Sequence, residues 1–317
     1  MKLKLLALVI CLFAGIDTFA QSRANEIGFQ SDNDSFLGQG SDRYYTNGFF
    51  VYYRTALDVG GSSTLANKVL GFELGQKIYN AQSGRLPSSQ FVDRPFAGYL
   101  YLGSSLNLLY KNESNLKLSA KLGVVGPAAG GYPIQKFIHN TFGFYELNSW
   151  QYQVRNGAVI NLGAEYNKLL ARATSFDVSL TSYANLGTGF TGAGVGPMFR
   201  LGNFNQLFNT VSTQSTASKG STAPNHKNEI FLYYKPQVQV VAYDATVQGS
   251  LFKDHPEAGT QEIVGDIKPV LLSHQVGGAL TTGRFVFDLS AIFNTREVKQ
   301  MARPHQWGSL TVLYRFN

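Results

Sequence analysis

A chain of 317 residues with 33 glycines, 13% aromatic residues, 15% charged residues and one cysteine is composed neither like a disulfide-stapled secreted domain nor like a nucleic-acid binder. Its net charge of +7 is diffuse, without a Lys/Arg run to track a phosphate backbone. No segment beyond residue 20 is apolar over the roughly 20 residues that a membrane-spanning helix needs.

The chain begins with Lys2 and Lys4, an apolar run over 5–16, and Thr18-Phe19-Ala20. That order reads as a secretory signal peptide over 1–20. The competing reading, a membrane anchor, needs a longer apolar run. Cys11 leaves with the signal, so the exported part, 21–317, has no thiol and relies on packing or a closed sheet. That part reads as one domain with no internal repeat.

From there the pattern is of long strands with period-two alternation. Leu116, Leu118, Ala120, Leu122 and Val124 interleave with Lys117, Ser119, Lys121 and Gly123. Ile230, Leu232 and Tyr234 oppose Glu229, Lys235 and Gln237, and Phe285, Phe287, Leu289, Ala291 and Phe293 oppose Asp288, Ser290 and Asn294. Runs of this length exceed the usual globular strand of about five or six residues and match a tilted transmembrane strand. A secreted β-sandwich would alternate in shorter strands. Strands are predicted over 24–33, 43–56, 68–80, 96–110, 114–127, 153–168, 173–186, 189–204, 228–244, 269–281, 283–296 and 306–316. The fold expected is therefore all-β: a twelve-stranded antiparallel transmembrane β-barrel. An even count places both termini in the periplasm and the connections 34–42, 81–95 and 128–152 outside the cell. The Ser/Thr/Asn-rich segment 205–227 then falls on the periplasmic side, where turns are usually short. The aromatics Tyr44, Tyr45, Phe49, Tyr99 and Tyr101 are expected to form the outer interfacial girdle. Asp93-Arg94 is expected to be a paired strand-entry cap.

Two of the outer connections carry chemistry. The stretch 31–50 gathers three aspartates, two asparagines and a basic residue between two predicted strands. In the connection 128–152, Pro133 can open a short helix on which Ile134, Phe137, Ile138 and Thr141 cover one face, with His139 beside them. A histidine near its free pKa can deprotonate water. Asp34, with oxygens from Asn33 and Thr46, can hold Ca²⁺ to support an ester oxyanion. No Gly-x-Ser-x-Gly is present, so water is the expected attacking group. The histidines at 226, 255, 274 and 305 are isolated and receive no role.

Asn33-Asp34, "DRYYTNGF" (42–49), "DRPFAGYLYLG" (93–103), "GVVGPAAGGYPIQKFIH" (123–139) and "WQYQ" (150–153) occur in the order found in a known family. Over most of its exported length the chain resembles the outer-membrane lipid A 3′-O-deacylases. The resemblance implies a twelve-stranded barrel that removes the 3′-linked acyl group of lipid A with a histidine base and Ca²⁺. It implies the base at His139, with Asn33, Asp34 and Thr46 completing the catalytic set. It places Arg85 near a basic position that meets the glycolipid phosphate. Where the family carries a glutamate six residues after the histidine this chain has Tyr145, and Glu146 follows one place later. A loop bulge of one residue is expected to bring Glu146 to the metal beside Asp34. A second departure is Gly157, where many relatives have an acidic residue. The expected partners are lipid A or lipopolysaccharide and the other outer-membrane lipids, with no nucleic acid, and the chain is expected to be a monomer. The expected location is the bacterial outer membrane, with the site facing the exterior. A catalytically inactive barrel of the same family, an outer-membrane phospholipase and a small pore are the alternatives. Inward charges at Lys117, Lys121, Glu229, Lys235 and Asp288 argue against an open porin.

Overall fold

A computed structural model describes residues 22–38, 42–219 and 224–317. The predicted signal segment 1–20 lies outside the described residues. Twelve strands close into one antiparallel barrel, each paired with its sequence neighbour and β1 with β12. They are β1 (Asn25–Asn33), β2 (Tyr45–Ala56), β3 (Leu65–Tyr79), β4 (Ala97–Tyr110), β5 (Ser114–Val125) and β6 (Gly157–Arg172). β7 (Phe176–Gly187), β8 (Phe190–Asn203), β9 (Ile230–Asp244), β10 (Val270–Thr282), β11 (Phe285–Asn294) and β12 (His305–Phe316) complete it. The largest boundary difference is at β6, which starts four residues later than predicted. The displaced residues 153–156 follow a 3₁₀ turn over 150–152, which is held by the Gln153 N–H bonding to the Trp150 carbonyl.

Alternation decides which face each side chain takes. On β5, Leu118 and Leu122 stand on the outer surface, while Lys117 and Lys121 turn inward to meet Glu165 at 2.9 Å and Glu73 at 3.3 Å. These pairs, with Lys235 and Asp288, line a polar lumen cavity of about 520 Å³. Among the described residues no helix is long and apolar enough to cross a membrane.

Of the aromatic girdle expected at Tyr44, Tyr45, Phe49, Tyr99 and Tyr101, only Phe49 takes the outer face, in step with exposed Val51 and Tyr53 on β2. Tyr45, Tyr99 and Tyr101 are buried inside the barrel, and Tyr44 is buried at its rim. Tyr99 and Tyr101 share strand parity with Gly103, so they face in, while Leu100 and Leu102 take the outer face. Asp93 and Arg94 do not form a pair either. Asp93 accepts from the Tyr44 hydroxyl at 2.6 Å and from the Gln82 N–H at 2.8 Å. The Arg94 guanidinium is buried over the Tyr79 ring at 4.1 Å and donates to Thr246 at 3.0 Å.

The long segment after β8 folds back into the barrel end that holds both termini. Arg200 donates to Asp177 at 2.7 Å and to Thr210 and Ser212 of this segment at 3.0 and 3.1 Å. Glu229 accepts from the Asn205 and Val211 N–H groups, and Asn107 donates to the Thr213 carbonyl at 2.8 Å. Residues 204–219 are thus an ordered stopper whose backbone polar groups are met by inward-facing side chains.

Candidate functional site

At the opposite end, the connection 126–156 carries one long helix, α1 (Gly131–Phe142). It lies close against the wall because its first turn meets glycine. A side chain at Gly98 of β4 would come within 3.0 Å of the Gly131 nitrogen, and one at Gly131 within 2.8 Å of Trp150. The predicted apolar stripe of the helix faces outward. Gly131, Gln135 and His139 are the buried face, whereas Ile134, Phe137 and Phe142 are exposed. Gln135 is fixed by the Trp150 indole N–H at 2.8 Å.

The end of α1 orients the histidine. Gly143, at φ 72°, closes the helix in the left-handed conformation that glycine adopts without steric cost. The chain turns back, the Phe144 N–H bonds the His139 carbonyl at 2.8 Å, and the Tyr145 carbonyl reaches His139 Nδ1 at 2.7 Å. A carbonyl only accepts, so Nδ1 carries the proton. In the neutral ring the lone pair is then on Nε2. The ring is only 2% exposed and Nε2 has no hydrogen-bond partner, although Asp42 Oδ2 lies 3.1 Å away. Phe144 and Tyr145 pack edge-on to the imidazole, fixing its plane.

The first connection supplies the oxygens. Asn33 ends β1 and caps the 3₁₀ turn Asp34–Leu37, with its Oδ1 accepting from the Ser35 N–H at 2.7 Å. Its amide donates to Asn47 Oδ1 at 2.7 Å. Asp34 is buried, accepts the Arg43 N–H at 2.7 Å and lies 3.3 Å from the Thr46 hydroxyl. That same hydroxyl is 3.3 Å from Asp42 Oδ1, so its single proton serves two carboxylates. Burial first, and the charge of Asp42 as well, push the Asp34 carboxyl up to about 8 despite the Arg43 and Thr46 hydrogen bonds. Between Asp42 and Thr46 sits Tyr44, a buried tyrosine at φ 60°. The Ala81 carbonyl and Asp93 hold it there, and its bent backbone returns Asp42 and Arg43 toward Asp34.

Asp42 therefore links His139 to Thr46, and Thr46 to Asp34, with Asn33 alongside as a turn cap. Glu146 does not join them. The expected bulge is absent: the residue is exposed, and Tyr145 turns inward in its place. The Tyr145 hydroxyl accepts the Gly84 N–H at 3.1 Å and lies against Asp42, and burial raises its pKa well above the usual phenol value. Arg85, the residue after Gly84, is exposed at the edge of this cluster. Asp42 was missed as a site residue. Its only sequence signal was its place at the head of "DRYYTNGF", which reads equally well as turn chemistry.

A family model described as outer membrane protein LpxR matches residues 5–316. Among solved structures, LpxR from Salmonella typhimurium superposes with a TM-score of 0.72 at 21% identity, covering 92% of this chain and 100% of that one. At that identity the likeness is one of fold. An outer-membrane channel from Pseudomonas putida F1 matches with a TM-score of 0.48 at 10% identity, covering 96% of this chain and 98% of that one. No curated protein sequence matches.

Proposed function

Because the chain belongs to the LpxR family of outer-membrane lipid A 3′-O-deacylases, we propose that it hydrolyses the 3′-linked acyl group of lipid A at the His139 site. The observation that carries this reading is the imidazole whose Nδ1–H is spent on a backbone carbonyl, leaving Nε2 buried, unbonded and beside oxygen-rich side chains.

In this reading Nε2 takes a proton from water as the water oxygen bonds to the acyl carbonyl carbon. The tetrahedral centre then collapses, the bond to the sugar oxygen breaks, and the imidazolium returns its proton to that oxygen. The Tyr145 carbonyl holds the ring in the tautomer that can do this. The family implies Ca²⁺, and the donor set fits a hard cation: Asp34 and Thr46 offer oxygen, and Asp34 is a buried carboxyl short of positive charge. Bound there, such an ion would supply charge for the developing oxyanion. Arg85, exposed at the rim, suits a phosphate of the glycolipid headgroup. Exposed Ile134, Phe137 and Phe142 give α1 an apolar outer face, which suits contact with lipid chains.

Mass spectrometry of lipid A from cells with and without the protein tests the reading. Loss of one 3′ acyl or acyloxyacyl group is the expected result. Unchanged lipid A with ample Ca²⁺ would favour an inactive barrel, and release of fatty acid from phospholipid instead would make it a phospholipase.

A further inference from the structure

We infer that Asp42, and not Glu146, is the second carboxylate of the site, and that Tyr145 holds it there. The inference takes its cation from the reading above, but its geometry stands on separate observations. Asp34 and Asp42 come from opposite ends of the first connection and converge on one hydroxyl, that of Thr46, at 3.3 Å each. The other Asp42 oxygen lies 3.1 Å from His139 Nε2, a buried ring atom without a hydrogen-bond partner. Asp42 thus touches both the oxygen donor set and the base. No other carboxylate does so among the described residues.

Two features keep it in place. Tyr145 sets its ring at 89° to the imidazole, 4.8 Å between centroids, with its hydroxyl against Asp42. That hydroxyl also accepts the Gly84 N–H, so its own proton is free to be donated to the carboxylate. Tyr44, in the left-handed region at φ 60°, reverses the chain just after Arg43 and stops Asp42 from following the strand outward. Tyr145 is in this view a positioning residue. It stands second to the carboxylate, as the outer partners of metal-bound carboxylates commonly do. Glu146, the next residue along, is exposed, whereas Tyr145 is tied to both His139 and Asp42.

Calcium titration calorimetry on the full barrel in detergent separates the two carboxylates without reference to turnover. Asp42→Asn, and as a second variant Asp42→Ser, should weaken Ca²⁺ binding at least tenfold, a loss on the scale of a missing charged ligand. Glu146→Gln should match the wild type, and Tyr145→Phe should fall between. Heat-modifiability on gels reports folding for each variant. Weakened binding in Glu146→Gln with normal binding in both Asp42 variants overturns the inference. So does a wild-type protein that deacylates lipid A but binds no Ca²⁺, an outcome that leaves the deacylase reading intact. Ca²⁺ binding that depends on Asp42 in a protein that leaves lipid A untouched has the opposite meaning: the inference stands and the deacylase reading falls.

Discussion

His139 is the residue on which the chemistry rests, and its surroundings say what removing it should do. The imidazole is buried, but it bonds only the Tyr145 carbonyl and lies on a helix outside the barrel wall. His139→Ala should therefore cost deacylation a factor of about 10² to 10⁴, the usual contribution of a general base, and leave the barrel's gel mobility shift unchanged. A lipid A mass spectrum with wild-type product from His139→Ala would remove the histidine from the mechanism. Thr46 makes a second point at this scale. Its hydroxyl proton is divided between two carboxylates, so Thr46→Val removes a shared donor from both while keeping the shape. Asp34 keeps the Arg43 N–H and Asp42 keeps the Tyr145 hydroxyl, so that variant should fold and lose activity about tenfold. These residues differ in how readable they were. His139, Asp34 and Thr46 announce themselves by type and by lying in outer connections of one barrel. Asp42 does not, because an aspartate before a turn is ordinary there. Its distance to Nε2 depends on how two connections fold against each other, which no local pattern encodes.

Two elements carry the arrangement, the helix α1 and the stopper at the other end. α1 reads as an amphipathic helix with an apolar stripe, and the stripe is real, but it faces away from the protein. The helical period was legible. Its orientation was not, because in a protein built for lipid the apolar side need not be the inner one. What fixes α1 is the contact of Gly131 with Gly98 and Trp150. Gly98→Leu should push the helix off the wall by an ångström or more, enough to cost about a hundredfold in rate with the barrel intact. Wild-type turnover in that variant would show that the helix finds its place by other contacts. At the far end the stopper hangs on Arg200, whose guanidinium is fully buried with Asp177. Arg200→Ala leaves that carboxylate with Arg172 as its remaining partner and frees Thr210 and Ser212. A loss of about 3–5 kcal/mol is expected for breaking one side of a buried pair. It should appear as a lower temperature for the mobility shift in a thermal series, while Ca²⁺ titration stays unchanged because the two sites lie at opposite ends of the barrel.

At the scale of the whole molecule, the alternation of Leu118 and Leu122 with Lys117 and Lys121 is what made twelve strands countable before any coordinates. At the rims the pattern is ambiguous, because a tyrosine there serves equally as girdle or as plug and only strand parity tells which. The same count makes the final prediction. With twelve antiparallel strands both termini lie at one end, and the connections 80–96 and 126–156, with His139, lie at the other. A barrel threaded from the periplasm keeps its termini there, so the His139 end should face the cell exterior. An epitope inserted at Ser88, in the first of these connections, should be labelled on intact cells. An epitope between Gly60 and Gly61, where positive φ and open space leave room for an insertion at the other end, should be labelled only after the outer membrane is permeabilised. Lipid A lies in the outer leaflet, so the two outcomes bear directly on the chemistry. Exchange of the two labelling patterns would put His139 and Asp34 in the periplasm, out of reach of that substrate, and the deacylase reading would fail even with the site geometry unchanged.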